Sequence, residues 1–261
     1  MATPYFHGGT GSRVLLLHSG FNTWVEYRRT IALLVRDHEV LAPTQPGSEG
    51  GPELDLGGRT MLDVHADHLE RLLDEQGWDE PVPVVGSSFG GVTAIELLNR
   101  GRASRVLALA PPWVQHPEGT AFYMAAFSPM LGFRFTRPLW AWGARQGWPG
   151  GLLLHQSLTR LDIDPEDEIE LITSMANFPL AQVFRSPGFS GSGMPDLDAV
   201  AAEQVHLVWG TKDWFVPRWM RSRWQAALPG SPVTVLPGFP HQPHLRDPEL
   251  VAELVRDLTA P

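Results

Sequence analysis

Val84-Val85-Gly86-Ser87-Ser88-Phe89-Gly90-Gly91 is the stretch on which the reading of this chain turns. Within it, Gly86-x-Ser88-x-Gly90 stands directly after a short apolar run, Val82–Val85, and directly before a helical pattern, Phe89–Arg100. A serine on so tight a strand-to-helix turn needs small residues two before and two after it, because the two backbones must approach closely. Its hydroxyl then projects above the sheet at the positive end of the following helix, where developing negative charge is favoured. Ser87 is the neighbouring competitor, but only Ser88 has glycine at both flanking positions. In a chain with 26 glycines the bare pattern says little. The flanking strand and helix give it weight.

Outward from this turn the same grammar repeats. Arg13–Leu17 leads into a helical pattern over Trp24–Val35, and Glu39–Ala42 leads through a Gly/Pro-rich loop into Thr60–Gln76. Arg105–Ala110 ends at Pro111-Pro112; Val205–Trp209 precedes a helix near Trp219–Leu228, and Val233–Leu236 precedes a closing helix, Pro248–Thr259. Strands alternating with helices imply βαβ units, so the expected fold is α/β, a mostly parallel central sheet flanked by helices. Right-handed crossovers put every strand C-terminus on one edge of such a sheet, where sites are found.

Two more strand ends carry ionisable groups. Val205–Trp209 runs into Gly210-Thr211-Lys212-Asp213, which sets a carboxylate just past the strand; taken alone, Asp213 reads equally as a turn or cap residue. Val233–Leu236 runs into Pro237-Gly238-Phe239-Pro240-His241, and a lone loop histidine is ordinarily only polar filling. Ser88, Asp213 and His241 nevertheless leave the same edge of one sheet, which makes them a candidate nucleophile, acid and base.

From 113 to 194 the alternation stops, and large apolar side chains such as Trp113, Phe122, Phe127, Trp140 and Trp142 accumulate. Asp164-Pro165-Glu166 reads as a helix start, with an N-cap, a proline at N1 and an acidic first turn. This segment is expected to be a helical cap over the strand ends, with residues 1–112 and 195–261 forming the core. Ordinary core filling is the competing reading of its aromatics.

The remaining features mostly exclude. The 261 residues carry a formal charge of −9, a sign that repels phosphate backbones and anionic lipid, so neither nucleic acid nor membrane is an expected partner. There is no cysteine, hence no disulfide, thiolate nucleophile or Cys-ligated metal. No secretory signal is evident at the start, and a cytoplasmic location is expected. His65 and His68, with Asp67 on one helical pattern, lack further ligands at recognisable spacing and read as a solvated helix face. No metal and no cofactor are expected. The sequence leaves a homodimer open.

Taken together, these stretches resemble the α/β-hydrolase superfamily over nearly the whole chain. The matching segments are LLLHSGFNTW (Leu15–Trp24), VLAPTQPGSEGG (Val40–Gly51), VVGSSFGG (Val84–Gly91), WGTKDWFVP (Trp209–Pro217) and PGFPHQPHLRDPE (Pro237–Glu249). The chain order Ser, Asp, His is the one this fold uses. The last segment resembles a frequent Gly-x-x-His-x-x-His pattern in which the first histidine is catalytic, which favours His241 over His244. The resemblance implies an oxyanion hole from the backbone N–H of Phe89 and of Gly20, with Phe21 as the alternative second donor because Ser19 is inserted after His18. His18 itself would be structural. Two departures stand out: Pro43-Thr44-Gln45-Pro46-Gly47 stands where the family often has an Asp after the second core strand, here Glu39–Ala42, and the N-terminal hairpin is shortened to one strand or none.

The resemblance implies two-step acyl transfer on a small hydrophobic ester, lactone or related carbonyl compound, with Phe21, Trp113, Trp140 and Trp142 touching substrate. Dehalogenases and epoxide hydrolases of this fold use Asp where Ser88 stands and are disfavoured. C–C hydrolases, non-hydrolytic relatives (lyases, cyclases, perhydrolases) and ligand-binding receptors share the scaffold and stay as alternatives.

Overall fold

The computed structural model describes residues 4–114, 117–127, 138, 139, 142, 170, 171, 173–175, 177–185 and 193–260. Among them, seven strands form one sheet: β1 (Tyr5–Gly9), β2 (Ser12–Leu17), β3 (His38–Pro43), β4 (Val82–Ser87), β5 (Ala103–Leu109), β6 (Val205–Gly210) and β7 (Val233–Leu236). Their spatial order is β1-β3-β2-β4-β5-β6-β7. All neighbours are parallel except β1, which pairs antiparallel with β3 at the edge. β1 is the one strand left of the N-terminal hairpin; its Gly-rich sequence, YFHGG, lacks an apolar run and left no clear signal in the sequence.

The central strands read as unbroken apolar runs because both faces are covered. Alternate residues split between two core clusters. Leu15, Leu17, Val84 and Leu207 face helices α2 (Met61–Glu75) and α3 (Phe89–Asn99), while Val14, Leu16, Val85 and Val208 face α1 (Arg28–Leu34) and the closing helix Pro248–Thr259. Period-two alternation thus persists inside runs that look uniformly hydrophobic. The helix starts follow the expected chemistry: Thr60 accepts from Asp63 N at 3.0 Å, and Asp247 accepts from Leu250 N at 2.9 Å ahead of Pro248. The stretch Trp24–Val35 differs from expectation, being a 3₁₀ turn over Trp24–Tyr27 followed by α1.

The order of strands fixes where a site can lie. The chain moves from β2 outward to β3, then returns past β2 to β4, so β2 and β4 flank a topological switch point, the crevice where open α/β sheets bind ligands. Leu17 pairs with Gly86 there, which sets the loop after β2 beside the turn after β4. Helix α4 (Pro117–Phe127) lies in the segment expected to be a cap; Trp140 and Asp164–Glu166 lie outside the described residues. Among the described residues no helix is long and apolar enough to cross a membrane.

Candidate active site

Ser88 caps α3 with φ 51° and ψ −121°, a conformation that L residues avoid. Strain of this kind costs on the order of 1–3 kcal/mol and persists only where the surroundings impose it. Here they do. A Cβ on Gly86 would collide with the carbonyl of Gly90, and one on Gly90 would meet the carbonyls of Leu17 and His18. Ser88 N is further tied to Leu109 O of β5 at 2.7 Å. Ser87, the competitor, is fully buried, whereas Ser88 is partly exposed at the head of the helix.

The loops after β6 and β7 bring Asp213 and His241 together. His241 Nδ1 and Asp213 Oδ2 are 3.0 Å apart, and both residues are buried. The other carboxylate oxygen accepts from the backbone N–H groups of Phe215 (2.8 Å) and Val216 (2.9 Å), so the acid is oriented from both sides. Gly210 is what allows this approach: a side chain there would strike the carbonyls of Phe239 and Pro240 as the histidine-bearing loop crosses it. Lys212 N to Phe239 O (2.9 Å) and Gly238 N to the Thr211 hydroxyl (2.7 Å) lace the two loops. Tyr123 of α4 donates to Phe215 O at 2.7 Å, steadying the loop that bears Asp213; burial, then the Asp213 charge, push its phenol pKa well up and keep it a donor. Among the described residues no hydrogen bond joins the Ser88 hydroxyl to His241.

The loop after β2 is held by side chains. Asn22 N donates to Ser19 O at 3.3 Å, and the turn between them puts Phe21 at φ 73°. His18 is buried and accepts from Gln45 N at 2.8 Å through Nε2, so the proton sits on Nδ1, which donates to Ser19 O at 2.7 Å. Burial lowers its pKa, against the pull of Glu26 and the Ser19 carbonyl. Gln45, standing where the resemblance leads one to expect Asp, donates to His18 O (2.8 Å), and its Oε1 lies 3.1 Å from His65 Nδ1, while His65 Nε2 lies 3.1 Å from Pro46 O. His65 therefore does not lie on a solvated face. Its ring is buried edge-on to Phe89 at 5.7 Å, and burial, reinforced by His18, pushes its pKa down to about 3. The Gln45 partner, distant in sequence, is what the helical pattern could not reveal.

The expected substrate-contacting residues divide. Phe21 packs edge-on against Phe178 (4.6 Å) in a small apolar cluster that includes Leu54, Met61, Leu180 and Val183 and also touches Phe89. Phe178 and Leu54 carried no sequence signal, since nothing local marks which apolar residues will pack beside Phe21. Trp113 is only 4% exposed and packs edge-on to Trp224 at 5.2 Å within the larger core. Following Pro111-Pro112, its ring turns onto the helix Arg218–Ala227. Trp142 is 52% exposed. Among the described residues no group of three or more His, Asp or Glu is placed to hold a metal ion.

Comparison with known proteins adds to this geometry. The family model described as "Alpha/beta hydrolase family" matches residues 14–254. The epoxide hydrolase EphH of Mycobacterium tuberculosis is 32% identical over 208 residues, covering 74% of this chain and 92% of that protein. Among solved structures, a thermophilic esterase from Thermogutta terrifontis aligns over 97% of this chain and 91% of its own, with a TM-score of 0.66 at 20% identity. Est816, described as an N-acyl homoserine lactone degrading enzyme, aligns over 97% and 95% with a TM-score of 0.71 at 18% identity. At these identities the two structures speak for the fold alone.

Proposed function

Since the chain belongs to the α/β-hydrolase family, we propose that it is a serine hydrolase acting on small hydrophobic esters or lactones, with Ser88 as nucleophile, His241 as base and Asp213 as its orienting acid. The observation that carries this is the strained Ser88 backbone at a turn where Gly86 and Gly90 admit no side chain. His241 takes the Ser88 proton as Oγ attacks the substrate carbonyl, and backbone N–H groups of Phe89 and Gly20 or Phe21 hold the oxyanion. One such donor is worth about 3 kcal/mol. Collapse of the tetrahedral intermediate passes the proton to the leaving alcohol. Water, activated by the same histidine, then releases the acid and restores the serine. The Phe21–Phe178 cluster, with segment 113–194 as a cap, would give the acyl group apolar walls.

The relative named as an epoxide hydrolase favours a second reading, hydrolytic opening of an epoxide. Elementary chemistry sets the two apart. A carboxylate that opens an epoxide forms an ester, which water can cleave, whereas a serine alkoxide forms an ether with no carbonyl for water to attack. With Ser88 at the turn, a covalent epoxide route would stop after one event. The test is a parallel assay of p-nitrophenyl acetate, p-nitrophenyl butyrate, an acyl lactone and styrene oxide. The expected outcome is turnover of the carbonyl substrates and none of the epoxide; catalytic turnover of styrene oxide alone would overturn the proposal.

A further inference from the structure

Beside the site lies a buried polar cluster that the chemistry above does not use. Glu26, in the 3₁₀ turn after the β2 loop, is 2% exposed, and among the described residues no lysine or arginine pairs with it. Its Oε1 accepts from Ser19 N at 2.7 Å and lies 3.3 Å from His244 Nε2. Its Oε2 accepts from the Ser19 hydroxyl (2.7 Å), Asn22 Nδ2 (2.7 Å) and Gln242 Nε2 (3.2 Å). Gln242 also donates to Ser19 Oγ at 2.8 Å, as does Asn22. His244 stacks on Tyr27, with ring centroids 4.4 Å apart.

These partners belong to two different loops. Ser19 and Asn22 bracket Gly20 and Phe21, the two alternative oxyanion donors. Gln242 and His244 follow His241 on the loop bearing the base. One carboxylate thus holds the ends of both loops against each other, and a carboxylate suits this place because it accepts from several donors at once. Burial pushes the Glu26 pKa up, but His244 and the Ser19 donors outweigh it and hold it at about 2, so the group is an anion at neutral pH. A buried anion whose donors come from two loops resists movement of either one, since any departure strands an unpaired charge.

We infer that Glu26 is a positioning residue for the acyl-transfer site, registering the oxyanion loop Ser19–Asn22 against the general-base loop His241–His244. The inference rests on the proposed serine chemistry. A purely architectural role would lower stability and leave transition-state stabilisation intact. A registering role lowers kcat while KM stays near its original value, because the oxyanion exists only in the transition state.

The test compares Glu26→Gln, Ser19→Ala and Gln242→Leu with the unmodified protein on p-nitrophenyl acetate, with binding of a phenylboronic acid as a tetrahedral mimic. Glu26→Gln is expected to lower kcat about tenfold or more, with KM changed less than about threefold and boronate affinity falling in parallel. Ser19→Ala and Gln242→Leu remove one partner each and are expected to lower kcat by smaller factors in the same pattern. Should Glu26→Gln not fold, these two carry the test. Unchanged kcat and boronate affinity in the folded variants would overturn the inference. Ser88→Ala is run alongside: its inactivity with wild-type rates in the cluster variants defeats only the registering role, whereas full activity of Ser88→Ala defeats the serine reading and this inference with it.

Discussion

The turn after β4 and the loop after β2 sit side by side at the switch point, yet they are built in opposite ways. At the first, backbone meets backbone: Gly86 and Gly90 admit no side chain, and Ser88 takes its strained φ because the strand and helix leave it no other. At the second, side chains do the holding. His18, Gln45 and Glu26 gather the carbonyls, amides and hydroxyls of residues 18–22 into a buried hydrogen-bonded network. The steric device is local and leaves a compact signature in the sequence. The polar device is assembled from residues far apart in the chain, such as Gln242 with Ser19, and leaves almost none. A position defined by what cannot fit is readable from a motif; one defined by partners is readable only once the fold is known.

The largest expected effect separates chemistry from scaffold at the steric device. Ser88→Ala and His241→Ala should each lower kcat on p-nitrophenyl acetate by on the order of a thousandfold or more, with Asp213→Asn somewhat less damaging. Thermal unfolding should stay near that of the unmodified protein for Ser88→Ala, since the glycines that impose the turn are untouched. Near-normal turnover in any of these would remove that residue from the site.

Next in size is a change that breaks the turn itself. Gly90→Ala drives a methyl group into the carbonyls of Leu17 and His18, backbone atoms that cannot give way without parting the loop after β2 from the elbow. Overpacking of this kind costs about 1–3 kcal/mol or more, so a clear fall in Tm together with lost activity is expected. Unchanged Tm would mean that the close approach is not a constraint.

The smallest effect concerns the polar device. His65 is held neutral, with its pKa at about 3, against an ordinary value of 6.5 in the unfolded chain. Stability from that site is fully present above pH 6.5 and is lost as pH falls from 6.5 toward 3. Glu26, with its pKa at about 2 against 4.5, loses its contribution only between pH 4.5 and 2. Between pH 6.5 and 4.5, His65→Gln should therefore flatten the decline in unfolding free energy by up to about 1.4 kcal/mol per pH unit. Urea unfolding at pH 7, 6 and 5 reads this directly, and identical slopes in both proteins would show that the ring is protonated inside the fold.

The same contrast explains how much could be read from the sequence. The parallel sheet was legible because its strands are short apolar runs cut off by glycine and proline, and six of the seven were marked this way. β1 was not, because YFHGG at a sheet edge needs no buried face. Asp213 and His241 were legible by their place after a strand, and the structure does pair them. The role of Gly210 was not, since its neighbour Phe239 is nearly thirty residues away. Trp113 packs edge-on against Trp224, a placement its composition could not indicate, because aromatic content carries no direction. His65, read as surface, is buried by a glutamine twenty residues earlier.

The central claim is that Ser88 is an activated nucleophile, and fluorophosphonate labelling of the folded protein followed by peptide mass spectrometry tests it most directly. The account predicts a single phosphonyl adduct on Ser88, formed far more slowly in His241→Ala. An adduct on another residue, or none in protein that is folded by circular dichroism, would contradict it.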